Sequence, residues 1–304
     1  MTGVVVAVVG PTAVGKSALS LDLAQALGGE VVNADAMQLY RGMDIGTAKL
    51  TAAERRGVRH HLLDVLDVRE EASVATYQRV SRAAVADIHS RGRVPILVGG
   101  SGLYLRAALD RLEIPPTDPR VRHRIEAEYA AHGLAPVLDR LTVLDPAAAA
   151  HINPANARRV IRALEVVELT GRPFSATMPQ REYVVPTVVI GLTAARPVLD
   201  ERIERRVGAM WEAGLLGEVR ALAGQGLREG RTASRALGYA QALAVLDGGL
   251  APAQAQADTV ALTRRFARRQ QSWFRPDPRI AWLAHDRPDL KASAVELARR
   301  HTGQ

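Results

Sequence analysis

The run VVVAVVGPTAVGKS, residues 4–17, constrains the fold more than any other stretch. Residues 4–9 are apolar without interruption, which suits a short strand buried on both faces. Gly10, Pro11, Thr12, Ala13, Val14, Gly15, Lys16 and Ser17 follow and fit G-x-x-x-x-G-K-[ST] at every fixed position. Residues 17–27 then carry a helical pattern. Strand, glycine loop and helix are the setting in which this motif forms a phosphate-binding loop. The glycines let successive N–H groups face one anion, and the helix adds its positive end. Lys16 would reach the outer phosphate and the Ser17 hydroxyl would hold Mg²⁺. The predicted ligand is a di- or triphosphate.

Of the 40 Lys and Arg residues, only Lys16, Lys49 and Lys291 are lysine. Arg does not replace a compact ammonium, so Lys16 and Lys49 read as chosen for their places. The net charge of +8 leaves two readings open. One is a large anionic partner, nucleic acid first; the other is a composition drifted toward Arg. The absence of cysteine excludes disulfides and thiolate metal centres. No leader pattern and no apolar run of membrane-spanning length is present, so a cytoplasmic chain is expected.

Along the chain, Gly28-Gly29 stops the first helix and residues 30–33 form a strand that ends toward Asp35. The carboxyl edge of an α/β sheet is where ligands bind. Asp35 is therefore either a functional carboxylate or the cap of a turn at residues 37–40. Residues 41–60 read as a long functional loop with a short helix at 52–56 and cations at Arg41, Lys49, Arg55, Arg56 and Arg59. A strand is predicted at 60–66, a helix at 73–91 capped by Ser73, and a buried strand at 94–98. That strand ends in Gly99-Gly100-Ser101-Gly102, where a hydrolytic motor would carry a carboxylate. Ser101 either donates to a phosphate oxygen or caps the helix at 103–109.

After the hinge-like segment 114–119 come helical patterns alone, at 119–131, 135–144, 146–152 and 156–169. Strand character returns at 187–192. The fold class is thus α/β: a P-loop NTPase-like parallel sheet core flanked by helices, built from residues 1–114 and 186–304, with an all-helical inserted domain at 115–185. In the helix 156–169, Arg158, Arg159 and Arg162 form either a phosphate-contacting edge or an ordinary charged face paired with Glu165. Helices follow at 198–213 and from Ser234 as a cap. Residues 263–279 interleave arginines with Phe266, Trp273 and Phe274, a composition for single-stranded nucleic acid or for a helix with aromatics inward and Arg in solvent. An edge strand at 280–283 and a final helix close the chain. Such a site suits displacement of diphosphate by a nucleophile on a second substrate. A small-molecule or nucleotide kinase using ATP would share much of it, with the insert as a lid.

GPTAVGKS, NADAMQLYRGMDIGTAK, VPILVGGSGLYLRAAL, NARRVIRALEV and SRALGYAQ, in this order between residues 4 and 283, resemble the bacterial tRNA dimethylallyltransferase (tRNA isopentenyltransferase) family. The block from Asp35 to Lys49 is its specific part. The resemblance implies transfer of a dimethylallyl group from dimethylallyl diphosphate to the exocyclic amine of adenosine 37 in tRNA, just 3′ of the anticodon. It implies a kinase-like core, an inserted helical domain that clasps the anticodon stem-loop, and Mg²⁺ on Ser17; a monomer is expected. By the same resemblance, Thr12 to Ser17 hold the diphosphate, and Asp35 takes the amine proton. Ser101, where the family usually has Thr, stands near the leaving oxygen, and Arg235 neutralises the diphosphate. Asp35, Ala36, Met37, Gln38 and Ser101, then Arg158, Arg159, Val160, Ile161, Arg162 and Ala163, then Arg235 and Tyr239 fall in segments that contact tRNA.

Overall fold

The computed structural model describes residues 3–177 and 181–302. The chain forms two compact units, Met1–Leu109 with Tyr183–Gln304, and Asp110–Glu182. The first unit begins β1 (Val5–Val9), α1 (Lys16–Leu27), β2 (Gly29–Asn33), β3 (His60–His61), α2 (Val74–Ser90), β4 (Val94–Val98) and α3 (Gly102–Leu109). The second unit supplies α4 (Pro119–His132), α5 (Ala135–Leu144), α6 (Pro146–His151) and α7 (Ala157–Thr170). The first unit resumes with β5 (Thr187–Thr193), α8 (Arg196–Glu212), α9 (Leu215–Ala223), α10 (Tyr239–Leu246), α11 (Pro252–Phe274), β6 (Ile280–Ala284) and α12 (Leu290–Thr302).

The six strands form one parallel sheet in the order β3-β2-β4-β1-β5-β6. β1 lies between β4 and β5 and is buried along its length, which is why its sequence does not alternate. Val6 and Val8 pack with Leu19, Leu23 and Leu27 of α1 and with Ala294 and Ala298 of α12. Each such fully buried Val contributes roughly 1.5–3 kcal/mol. The register sets Val98 opposite both Val8 and Asn33, so β1, β2 and β4 end at one level. Their carboxyl ends deliver the loop 10–17, Asp35 and the Gly99–Ser101 turn to one edge of the sheet.

Local backbone geometry corrects three sequence expectations. Residues 52–56 form turns instead of a helix, because Arg56 (φ 51°) and Gly57 (φ 74°) are left-handed. The strand predicted at 60–66 stops at His61, since Leu62 (φ 61°) and Asp64 (φ 59°) are left-handed as well. Ser234 is not a helix cap. Its hydroxyl donates to the Gly230 carbonyl, a 3₁₀ turn covers Ala233–Arg235, and α10 starts later, where Gly238 donates its N–H to the Gln241 side chain. The basic 263–279 segment is mostly the second half of α11, which begins at Pro252. α9 had no sequence-level expectation.

In the helical unit, Ile125, Val137, Leu141, Val160, Ile161 and Leu164 make a separate core. Glu165 lies inside it, fully buried, and accepts from Arg122, Arg162 and the Asp118 amide. Burial pushes this carboxyl up, but the bonds and charges of Arg122 and Arg162 outweigh it and hold the group below its ordinary value. The chain passes between units in a paired crossing: Val184 donates to the Leu109 carbonyl within the first unit, and Arg111 to Glu182 within the second, each at 2.8 Å.

Candidate active site at the carboxyl edge of the sheet

The loop 10–17 carries three left-handed residues, Gly10 (φ 141°), Ala13 (φ 64°) and Gly15 (φ 108°), so it curls back over the start of α1. A Cβ on Gly10 would lie 2.6 Å from the Leu192 carbonyl oxygen, so only glycine fits between loop and β5. Lys16 donates to the Pro11 carbonyl at 2.7 Å. Burial pushes its ammonium down to about 7, the Arg206 charge pushes the same way, and Asp35 opposes both. Ser17 is exposed at the second position of α1.

Asp35 takes the capping position and still leaves one carboxylate oxygen unengaged by the described residues. Its Oδ1 accepts from the Met37 amide at 2.9 Å and so caps the 3₁₀ turn Met37–Leu39. Among the described residues Oδ2 receives no hydrogen bond, and the carboxylate acts electrostatically on Lys16 and Arg206. Asn33 holds the Asp35 backbone from both sides: its Oδ1 accepts from Asp35 N–H and its Nδ2 donates to Asp35 C=O. Ser101 does not cap α3 through its side chain; Leu105 N–H bonds to its carbonyl, and its hydroxyl has no partner among the described residues.

The long loop after Asp35 is tied down at both ends. Glu218 of α9 accepts from the amides of Asp44, Ile45 and Gly46 and from the Tyr239 hydroxyl. Lys49, read above as suited to phosphate, spends all three of its donors elsewhere: Asp44 and Asp64 at 2.6 Å each and the Tyr40 carbonyl at 2.8 Å. It is a buried clamp for this loop. Arg41 bonds to Asp64 C=O, Arg55 to Leu50 C=O and Arg56 to Asp22. Gln38 donates to Thr47 C=O at 3.1 Å.

The guanidinium that reaches the phosphate loop comes from α8. Arg206 donates to Thr12 Oγ1 at 3.2 Å and to Thr47 C=O at 3.4 Å, and Arg202, one turn earlier, donates to Ala13 C=O at 3.5 Å. Neither has a carboxylate partner among the described residues. Arg235 ends the Ala233–Arg235 turn and is exposed, and its side chain makes no hydrogen bond or ion pair with another described residue.

Several of the residues expected to touch tRNA are turned inward. Val160 and Ala163 are fully buried and Ile161 nearly so, all within the core of the helical unit. Arg162 bonds to Glu165 and to the carbonyls of Pro115 and Pro116. Tyr239 is buried, its hydroxyl spent on Glu218. These side chains serve packing, because a helix that presents one face to solvent must bury the other. The Arg158 and Arg159 side chains are exposed and make no hydrogen bond or ion pair with other described residues. In the first unit, Arg265, Arg268, Arg269 and Arg275 line the exposed side of α11 and its end, with half-exposed Trp273 beside them.

A sequence profile described as IPP transferase matches residues 38–277. The chain belongs to that family. It is 60% identical over 303 residues to a tRNA dimethylallyltransferase of Thermobifida fusca, covering 98% of this chain and 95% of that one. It is 62% identical over 297 residues to a tRNA dimethylallyltransferase of Salinispora arenicola, covering 98% and 87%. Among solved structures, the tRNA isopentenylpyrophosphate transferase of Bacillus halodurans superimposes with TM-score 0.72 at 42% identity, covering 100% of this chain and 96% of that one. A eukaryotic dimethylallyltransferase captured acting on tRNA gives TM-score 0.83 at 29% identity, covering 96% and 77%. Among the described residues, no helix is long and apolar enough to cross a membrane.

Arg202, Arg206 and Gln270 escaped the sequence reading of this family member. Arg206 sits in a stretch of alternating charge that reads as a solvated helix face. Its one signal is that Arg202 and Arg206 are spaced i, i+4, on one side of α8.

Proposed function

We propose that this protein transfers a dimethylallyl group from dimethylallyl diphosphate to the exocyclic amine of adenosine 37 in tRNA, releasing diphosphate. The observation that carries the reading is one sheet edge holding both halves of such a reaction: a phosphate loop backed by Lys16 and Arg206, and the Asp35 carboxylate in electrostatic reach of both. Family membership and relatives named for this activity support it.

In this reading the allylic C–O bond breaks as the amine nitrogen bonds to the same carbon. Negative charge grows on the diphosphate, where the loop amides, Lys16 and Arg206 stabilise it without reorganisation. Arg206 takes the part that the family resemblance gave to Arg235. The amine is a poor nucleophile, because its lone pair is delocalised into the ring. Asp35 accepts its proton through Oδ2, the oxygen not used in capping, and a carboxylate placed this way contributes about 10²–10⁴-fold. Ser101 offers its hydroxyl to the leaving oxygen. The adenosine reaches the site only if it is flipped out of its stack, at a cost of a few kcal/mol. Arg158 and Arg159 on the helical unit, and the α11 arginines on the first, supply phosphate contacts to the anticodon stem-loop.

The Ser17 hydroxyl, exposed at the second position of α1, would hold Mg²⁺. No cluster of three or more His, Cys, Asp or Glu among the described residues forms a protein cage for it. When bound, Mg²⁺ adds positive charge to the leaving diphosphate. One copy of the chain carries every group named, and a tRNA substrate supports a cytoplasmic protein. The test is incubation with radiolabelled dimethylallyl diphosphate and unmodified tRNA bearing adenosine 37. Label in that nucleoside is expected; unlabelled tRNA, or phosphate transfer from ATP without any prenyl donor, would overturn the assignment.

A further inference from the structure

Gly100 and Gly102 flank Ser101, and each gives its missing side-chain space to α11. A Cβ on Gly100 would lie 2.0 Å from Gln270 Nε2, and one on Gly102 would lie 1.8 Å from the Trp273 ring. Gln270 and Trp273 are one helical turn apart, so a single side of α11 presses on the strand-end turn.

Gln270 is buried, and both ends of its carboxamide are engaged. Its Oε1 accepts from the Thr12 amide at 2.8 Å, and its Nε2 donates to the Gly100 carbonyl at 3.0 Å. One planar group therefore spans the phosphate loop and the turn that carries Ser101. The chemistry of the pair is exacting. An ionised carboxylate would lack the donor, and Lys or Arg would lack the acceptor. Thr12 is held a second time, by Arg206 on its hydroxyl. Its N–H, which in such a loop is free to face an anion, is instead turned to α11.

We propose that Gln270 is a positioning residue for prenyl transfer, fixing the separation between the phosphate loop and Ser101 through this one carboxamide bridge. The inference rests on the functional reading above. Gln270 touches neither the diphosphate-facing side of Lys16 nor Asp35; it acts through Thr12 and Gly100. A shift of about 1 Å in reacting groups costs on the order of 10²-fold in rate. Lys16 and Arg206 still hold the donor when the bridge is cut, so the loss falls on kcat and not on KM.

The test uses the full chain. Gln270→Leu keeps the bulk and removes both hydrogen bonds. Gln270→Glu keeps only the acceptor for Thr12. Gly100→Ala leaves Gln270 in place but drives its amide away. Gln270→Leu and Gly100→Ala should lower kcat by about tenfold or more with KM for dimethylallyl diphosphate within about threefold, and Gln270→Glu should fall between them and the parent. In Gln270→Leu, hydrogen exchange at the Thr12 amide should accelerate about tenfold or more while β1 and α1 amides are unchanged. Should Gln270→Leu not fold, Gln270→Glu carries the kinetic comparison, and a kcat equal to the parent's there overturns the proposal. A folded Gln270→Leu with kcat within about twofold of the parent, a raised KM at unchanged kcat, or unaltered Thr12 exchange would each overturn it. A parent protein that labels no tRNA overturns the functional reading instead, and Thr12 exchange still decides whether Gln270 sets the loop.

Discussion

Seating a fully ionised diphosphate on the loop should draw a proton onto Lys16. In the free protein, burial reinforced by Arg206 holds this ammonium at about 7. At pH 8 only about one molecule in ten therefore carries the charge. The bound polyanion places negative charge beside the amine and offsets Arg206, returning the lysine toward its ordinary range. Uptake per diphosphate is then about 0.9 proton at pH 8, about 0.5 at pH 7 and about 0.1 at pH 6. The sign follows from which state is depressed. The free form has the low value, so binding is unimpeded below pH 7 and weakens by close to tenfold per unit above it. Calorimetric titration of dimethylallyl diphosphate, without tRNA, in buffers of different ionisation enthalpy reads the uptake directly. The pH 8 value is the cleanest, because a phosphate ester's last ionisation lies near ~6. Lys16→Arg should show almost no uptake, since a guanidinium stays charged throughout. Arg206→Met removes a cation that depresses Lys16 and should move the curve to higher pH. Uptake below about 0.2 at pH 8, or the same uptake in Lys16→Arg, would refute the reasoning.

Asp35→Asn should lower the prenyl-transfer rate by about 10²–10⁴-fold while diphosphate affinity, measured by the same calorimetry, holds or improves, because a carboxylate near an anion is removed. Glu165→Gln leaves Arg122 and Arg162 without their shared carboxylate; a loss of about 3 kcal/mol in urea unfolding is expected for breaking a buried pair. Glu30 is held down to about 2, chiefly by Arg91 with help from His61. Its depressed value stabilises the fold above about pH 4.5 and the benefit disappears as pH falls toward 2. Glu30→Gln should cost about 1–2 kcal/mol at pH 7 once solvent screening near the sheet edge is allowed for, and the gap from the parent should close in acid unfolding curves.

What could be read beforehand was what neighbours in sequence determine. The loop 10–17 is a strand, a turn and a helix in succession, and Gly99-Gly100-Ser101 follows its strand directly, so both were visible. Arg206 was not, because its contact with Thr12 joins positions 194 residues apart and its helix has an ordinary charge pattern. Gln270 was hidden as one polar residue in a basic run. Lys49 misled because a solitary lysine suits a phosphate or a buried pair of carboxylates equally, and only the fold brings Asp44 and Asp64 to it. Motif matching marked the segments 159–163 and 235–240 but said nothing of which side of each helix is inward; Val160, Ala163 and Tyr239 turned out to be packing residues. The turns at Arg56, Leu62 and Asp64 went unread because non-glycine residues seldom adopt left-handed geometry, and composition does not announce it.

The paired crossing at Leu109 and Val184 also makes the gene divisible. The chain leaves the sheet unit and re-enters it at residues joined by one hydrogen bond. A short turn linking Leu109 to Tyr183 would replace the whole of Asp110–Glu182 without stretching either end. Such a shortened chain keeps every strand, the phosphate loop and Asp35, so the sheet unit and the inserted helices become separately heritable parts. The helical segment then behaves as a cassette whose exchange would leave the strands and the phosphate loop untouched.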